Sequence, residues 1–222
     1  MNKNDKLRKA DQTRKKLVEV SMKLFLNQGF EKTTMREIAR AAGLAPGAAY
    51  YHFDSKEHLI FDFYEKSYTD HLPEAERVLK QERALGKRLA GVIAAHLKVS
   101  EPYHEISKVL FKTASDPAHP LSPFSKESAE LRQKNVDIMK RALEGERLDK
   151  ELAAKLPELL WMFKMGMILY WVHDPSPRRH KTYQLVDQAS ELVAKLIGLA
   201  GLPVLKGFAQ RAVKVFYDYK TF

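Results

Sequence analysis

The chain has 222 residues, 45% hydrophobic and 30% charged, with 38 Lys and Arg against 28 Asp and Glu and no cysteine. That is long enough for one large domain or a small one joined to a larger, and the missing cysteine excludes disulfides, thiolate chemistry and Cys-based zinc sites. The N-terminus lacks the apolar core of a secretory signal, and the longest apolar run, 159–171, is broken by Lys164 and falls short of the ~20 residues a membrane helix needs. The expectation is a cytoplasmic protein with no membrane partner.

Residues 1–16 carry seven Lys or Arg against two Asp, half of the net charge of +10, while residues 17–60 balance. Residues 1–11 therefore read as a basic flexible arm. Such an arm follows a phosphate backbone or reaches a minor groove; the alternative is a solubilising tail. The first helix is expected over about 12–27, with Leu17, Val20, Ser21, Leu24 and Phe25 on its inner face and Gly29 ending it.

The next stretch, Thr34 to Phe53, reads TMREIARAAGLAPGAAYYHF. Thr34 with Glu37 three residues on is a capping-box start. Met35, Ile38, Ala39 and Ala42 repeat at helical spacing. Gly43 then supplies the positive φ of a helix stop, and Pro46 suits the first turn of a new helix. This second helix begins with small residues, Ala45 to Ala49, and ends in Tyr50, Tyr51 and His52. Small side chains allow close approach to a surface, and Tyr, His and backbone N–H groups donate well to phosphate oxygens. The pair reads as a helix-turn-helix that offers Ala45 to His52 to a major groove.

The run from Thr13 to Leu59, with its pieces LFLNQGF, TTMREIARAAGLAPGAAYYHF and DSKEHL, resembles the TetR family of bacterial transcriptional regulators. The resemblance implies that Thr33, Thr34, Tyr50, Tyr51, His52 and Lys56 hold phosphates. It also implies that Arg36 and the edge formed by Ala45, Pro46, Gly47 and Ala48 lie where bases are read. Alternatives stand beside three of these: Arg36 as an exposed helix arginine, Tyr51 as a core-facing ring, and Lys56 as a solvated first-turn lysine.

Beyond Asp54 a fourth helix leaves the head and is expected to run past Leu72. The rest reads as helices at about 74–83, 86–100, 103–114, 123–145, 150–173, 178–199 and 204–219, punctuated by the loops SDPAHPLSP and DPSP. The fold class is all-α, divided into the arm (1–11), a helix-turn-helix DNA-binding domain (12–54) and a helical ligand-binding and dimerisation domain (55–222).

The helix before DPSP is apolar all round, with Leu156, Leu159, Phe163, Met167 and Tyr170 on one face and Trp161, Met162, Met165, Ile168, Leu169 and Val172 on the other. Such a helix must be covered on every side. With the helix that follows, it would form a four-helix bundle across a homodimer, as the resemblance also implies. Methionine and aromatic side chains suit an adaptable apolar pocket. Tyr103, Phe111, Met139, Trp161, Phe163, Lys164, Met167 and Tyr170 are the candidate ligand contacts, with plain core packing as the alternative. Lys164 reads as a lysine snorkelling to the surface or the dimer edge; the sharper alternative is a counter-ion for an anionic, largely apolar ligand.

Scattered histidines form no metal spacing, and there is no nucleophile–base arrangement or phosphate-cradling glycine loop. The expectation is a non-enzyme without metal or cofactor. Its partners would be a double-stranded DNA operator, a second copy of itself and a small hydrophobic effector. The resemblance implies a repressor released from a palindromic operator by that effector. The alternatives are a DNA-binding dimer whose body recruits a protein partner and, more distantly, a basic helical module for acidic surfaces.

Overall fold

The computed structural model describes residues 3–200 and 203–218, and among them every regular element is a helix. They are α1 (Lys3–Gln28), α2 (Met35–Ala41), α3 (Pro46–His52), α4 (Lys56–Gln81), α5 (Leu85–Ser100), α6 (His104–Ala114), α7 (Ala129–Ala142), α8 (Lys150–His173), α9 (His180–Ala200) and α10 (Pro203–Asp218). Short 3-10 turns lead into α6 and α9. None of the described helices is long and apolar enough to cross a membrane.

The chain divides into two units, Met1–Lys66 with Tyr103–Ser128 and Ser67–Pro102 with Ala129–Phe222. The expected division is at 12–54 and 55–222; by contacts, α6 and the loop after it group with the helix-turn-helix. Ile106, Leu110, Ala114 and Leu121 share one core with Leu17, Phe25, Ile38, Ala49, Phe53 and Leu59. Four further buried apolar side chains thus stabilise a head too small to bury much surface alone.

Three helix bounds also differ from expectation. α1 starts at Lys3, so residues 3–11 are helical and the exposed Arg8, Lys9, Lys15 and Lys16 are carried along a helix; the side chains of Lys3 and Lys6 lie outside the described residues. α4 runs unbroken through Pro73, absorbing the helix expected at 74–83. α7 starts at Ala129 and not at 123. In the loop before it, the Ser125 hydroxyl donates to the Pro120 carbonyl at 2.6 Å and accepts from the Ser128 N–H at 3.1 Å. Hydroxyls that satisfy backbone groups locally compete with the helix for them.

In the second unit, α5 packs along α9 and α7 along α8, while α10 lies against α8 and α9. Close approach is written into Gly91, where an added Cβ would stand 2.5 Å from Cγ1 of Val78 on α4. Polar staples fix the turns. Asp174 accepts from the N–H of Ser176 at 2.8 Å and from the N–H and hydroxyl of Thr182 at 2.9 and 2.7 Å, closing the α8–α9 connection. Glu101 accepts from the Trp171 indole at 3.0 Å and pairs with Arg179. The apolar face expected of the tail helix rests on Leu205, Phe208, Ala209, Ala212, Phe216 and Tyr219, whose side chains lie outside the described residues.

Candidate nucleic-acid interface

Thr34 caps α2 as expected. Its hydroxyl accepts from the Glu37 N–H at 3.3 Å and donates to Glu37 Oε2 at 2.8 Å, and its N–H donates to the same oxygen at 2.8 Å. These hydrogen bonds, the hydroxyl's first and the N–H's second, hold the Glu37 carboxyl below its ordinary range. At the α2 stop, Gly43 has φ +71° and the Leu44 N–H reaches the Ala39 carbonyl at 2.9 Å. α3 then starts at Pro46 and is anchored by Ala49 and Phe53, both buried.

With those two residues inside, the outward side of α3 is small at its start and aromatic at its end. Ala45, Pro46 and Gly47 are exposed. Tyr50 is 48% exposed and Tyr51 84%. Tyr51 is therefore a surface ring, and the core-facing alternative falls away. Ala48 is half-buried, as is His52, whose ring meets that of Tyr51 edge to face at 5.2 Å. Arg36, on α2, is exposed.

Two of the expected phosphate contacts bond to protein groups instead. The Thr33 side chain is buried. Its hydroxyl donates to the Gly29 carbonyl at 2.8 Å and accepts from the Gln28 amide at 3.2 Å, so it closes the turn after α1. The Lys56 ammonium turns back onto that same turn. It donates to the carbonyls of Phe30 and Glu31 at 2.8 and 3.3 Å and lies 4.2 Å from the centre of the Phe30 ring. Both residues support the recognition pair from behind.

Sequence reasoning missed the residue that holds α3 in place. Arg14, counted with the basic N-terminus, donates from Nη1 to the His52 carbonyl at 3.3 Å and from Nε and Nη2 to Asp62 Oδ1 at 2.8 and 2.6 Å. Its guanidinium also lies 4.3 Å from the centre of the Phe53 ring. A cation at the last carbonyls of a helix complements the helix dipole. The only signal in the sequence was the position of Arg14 one turn before Leu17. Beside it opens a groove of about 340 Å³ lined by Arg14, His52, Asp54, His58, Asp62 and Glu65 among others. Its three carboxylates make it unsuited to phosphate. No group of three or more His, Asp or Glu among the described residues is placed to hold a metal ion.

The expected ligand contacts divide between the two units. Tyr103 and Phe111 belong to the first unit and Met139, Trp161, Phe163, Lys164, Met167 and Tyr170 to the second. Tyr103 packs edge to face on Phe63 at 4.9 Å. Met139, Trp161 and Lys164 are buried, Phe163 and Met167 half-buried, and Tyr170 exposed. The snorkelling reading of Lys164 is corrected: it is 1% exposed, and its ammonium donates to Asn135 Oδ1 at 2.7 Å.

An all-α chain with a capped helix-turn-helix and a separate helical body has the architecture of a bacterial DNA-binding regulator. Residues 17–62 match the family described as bacterial regulatory proteins, tetR family, and residues 88–213 match the tetracyclin repressor-like C-terminal domain. The chain belongs to the TetR family, whose members are DNA-binding transcription factors and not enzymes. It is 41% identical to the HTH-type transcriptional regulator AcrR of Shigella flexneri over 58 residues, 26% of this chain and 27% of that protein. The shared stretch is thus about a quarter of that relative. It is 22% identical to the fatty acid metabolism regulator protein of Bacillus subtilis over 181 residues, 80% of this chain and 87% of that one. The crystal structure of a TetR-family regulator from Syntrophomonas wolfei superposes with a TM-score of 0.67 at 15% identity, covering 83% of this chain and 95% of the other. That likeness concerns the fold.

Proposed function

We propose that the protein is a homodimeric repressor that binds a palindromic operator and is released from it by a small, largely apolar ligand taken up in the second unit. The observation that carries the DNA half is the outward side of α3: exposed Ala45, Pro46 and Gly47 allow the helix close to base edges, and Tyr50 and Tyr51 stand free to donate to phosphates. The absence of long side chains at the start of the helix favours thymine-methyl contact and backbone readout. In a dimer the two α3 helices must stand about 34–36 Å apart to enter successive major grooves.

Dimerisation is supported by an apolar surface on α8 and α9, which pack together. Leu169, Tyr170, Leu192, Leu196 and Leu199 are all exposed there. Large apolar side chains left exposed on two packed helices suit an interface with a second copy. Ligand release requires unequal affinity for the bound and released states, and half-buried Met162, Phe163, Met165 and Met167 on α8 supply adaptable apolar surface.

The test selects operators from random duplexes with the full chain, then repeats binding with Tyr50→Ala/Tyr51→Ala. A palindromic consensus and loss of sequence-specific binding in the double variant are expected. Specific binding that survives the double variant would sink the assignment of α3.

A further inference from the structure

Polar side chains from four helices lie in the interior of the second unit, with no acid among them. Lys164 of α8 is 1% exposed and gives one of its three N–H groups to Asn135 of α7 at 2.7 Å. His71 of α4 is fully buried, with Nδ1 3.2 Å from the Ser67 carbonyl. Its ring meets that of His96 on α5 edge to face, 5.0 Å between centres. A carbonyl only accepts, so Nδ1 of His71 carries the proton; its Nε2 is buried without a hydrogen-bond partner, as is Nδ1 of His96.

Electrostatically this is the reverse of a structural ion pair. Burial, with no carboxylate to offset it, pushes the Lys164 ammonium down to about 7. Burial first and the Lys164 charge second push His71 down to about 4, and the same two causes lower His96. A buried cation without a counter-ion, beside ring nitrogens without partners, is costly to keep in a core. The same helices also supply the buried Ile93, Leu97, Met139 and Leu160, so the polar cluster belongs to an otherwise apolar interior.

We propose that Lys164, His71 and His96 form an anion subsite that takes the carboxylate of a small organic acid whose remainder is apolar. A carboxylate supplies the missing acceptors. Its oxygens take the two Lys164 N–H groups that Asn135 leaves over and the ring nitrogens once these are protonated. Its charge favours the protonated form of every member of the cluster. Binding therefore takes up protons near neutral pH. The inference rests on the reading of the second unit as a ligand sensor and narrows its effector to anions.

The experiment uses the full chain with octanoate and benzoate, each against its neutral counterpart, octanol and benzyl alcohol. Thermal stability and calorimetry at pH 7, in two buffers of different ionisation enthalpy, read affinity and proton uptake together. The acids should bind about tenfold or more tighter than the alcohols, with net proton uptake. Lys164→Met should erase that preference. Asn135→Asp, which installs an internal carboxylate beside Lys164, should exclude the acids while the protein stays folded and binds operator. Equal binding of acids and alcohols, unchanged in Lys164→Met, overturns the subsite and leaves a sensor of neutral ligands. Failure of all four compounds to bind also overturns it. The sensing reading is judged separately, by a screen of neutral compounds for release of the operator.

Discussion

Arg14 and Asp62, 48 residues apart, meet at 2.6 Å, and the same guanidinium caps the carbonyl of His52 at the end of α3. A residue of the basic N-terminus thus anchors the end of the helix proposed to face DNA. Both partners are partly exposed, so the ion pair itself is worth about 1 kcal/mol or less. Removing Arg14 should therefore barely change stability while loosening α3. Arg14→Met is expected to lose operator affinity well beyond the loss from Lys9→Met on the same helix, with a melting temperature within a few degrees of wild type. A double-mutant cycle with Asp62→Asn, read on operator affinity, should show coupling between the two sites. Strict additivity there would mean that Arg14 acts only as a loose positive charge.

Lys56 and Arg36 were both expected near DNA, and the structure separates them. The Lys56 ammonium is spent on the carbonyls of Phe30 and Glu31, whereas Arg36 is exposed. Removing one cation that neutralises a phosphate lowers the salt slope of binding by about one. Arg36→Met should reduce that slope if Arg36 meets a phosphate, or relax the choice of one base if it reads a groove edge. Lys56→Met should leave both unchanged and lower stability by about 1 kcal/mol, because it deletes the charged hydrogen bonds to the two carbonyls. Titrations at several salt concentrations separate the two outcomes.

The helix-turn-helix was legible because its determinants are local. A cap at Thr34, a positive-φ stop at Gly43 and a Pro start at 46 lie within thirteen positions of one another. What sequence could not give is long-range. Nothing near residue 106 announces that α6 packs into the head core, and nothing near 164 announces an acceptor at Asn135. Pro73 carried a strong local signal for a break, yet α4 continues through it. The buried Ala75 and Val78 beyond it bind that last stretch into the second unit, and packing outweighs the one backbone hydrogen bond proline removes. Thr33 and Lys56 show the same limit. Their residue types fitted phosphate, but only the fold reveals that each is already occupied.

The exposed leucines of α9 define a third expectation. Leu192 and Leu196 are 59% and 57% exposed, four residues apart on one helix face. Leu192→Glu/Leu196→Glu would place like charges across a twofold interface, where repulsion and reduced apolar burial act together. Sedimentation should show a dimer for the wild type and a monomer for the variant. Palindrome binding should collapse while the folded far-UV signature persists. A variant that stays dimeric would move the interface elsewhere.

Gly91 offers a packing test. Replacing it with Ala adds about 1 kcal/mol of helix propensity, but the new Cβ would sit 2.5 Å from Cγ1 and 3.0 Å from Cγ2 of Val78. Overlap at a β-branched side chain cannot be relieved by rotating a flexible tip, and overpacking of this kind costs about 1–3 kcal/mol. The net expectation is a lower denaturant midpoint at unchanged slope. Gly91→Ala/Val78→Ala should recover part of the loss by vacating the space.

The acid-free cluster makes stability depend on pH in a fixed direction. The Lys164 ammonium, pushed from 10.5 to about 7 in the folded state, leaves the native protein with fewer bound protons than the unfolded chain across that interval. Stability therefore rises with pH from about 7 towards 10.5. His71, down at about 4 from 6.5, adds a rise over the more acidic interval, and His96, also lowered, acts in the same sense. Above pH 10 the half-buried Tyr64, whose phenol is raised by desolvation, turns the trend downward, because there the folded state holds the extra proton. Lys164→Met removes the charge at nearly constant shape. At pH 6.5 it should raise the melting temperature by about 5 °C or more, a few kcal/mol on a chain of this size, and by pH 10 the gain should have vanished. A melting temperature that the substitution lowers at pH 6.5 would mean that Lys164 is already neutralised from within.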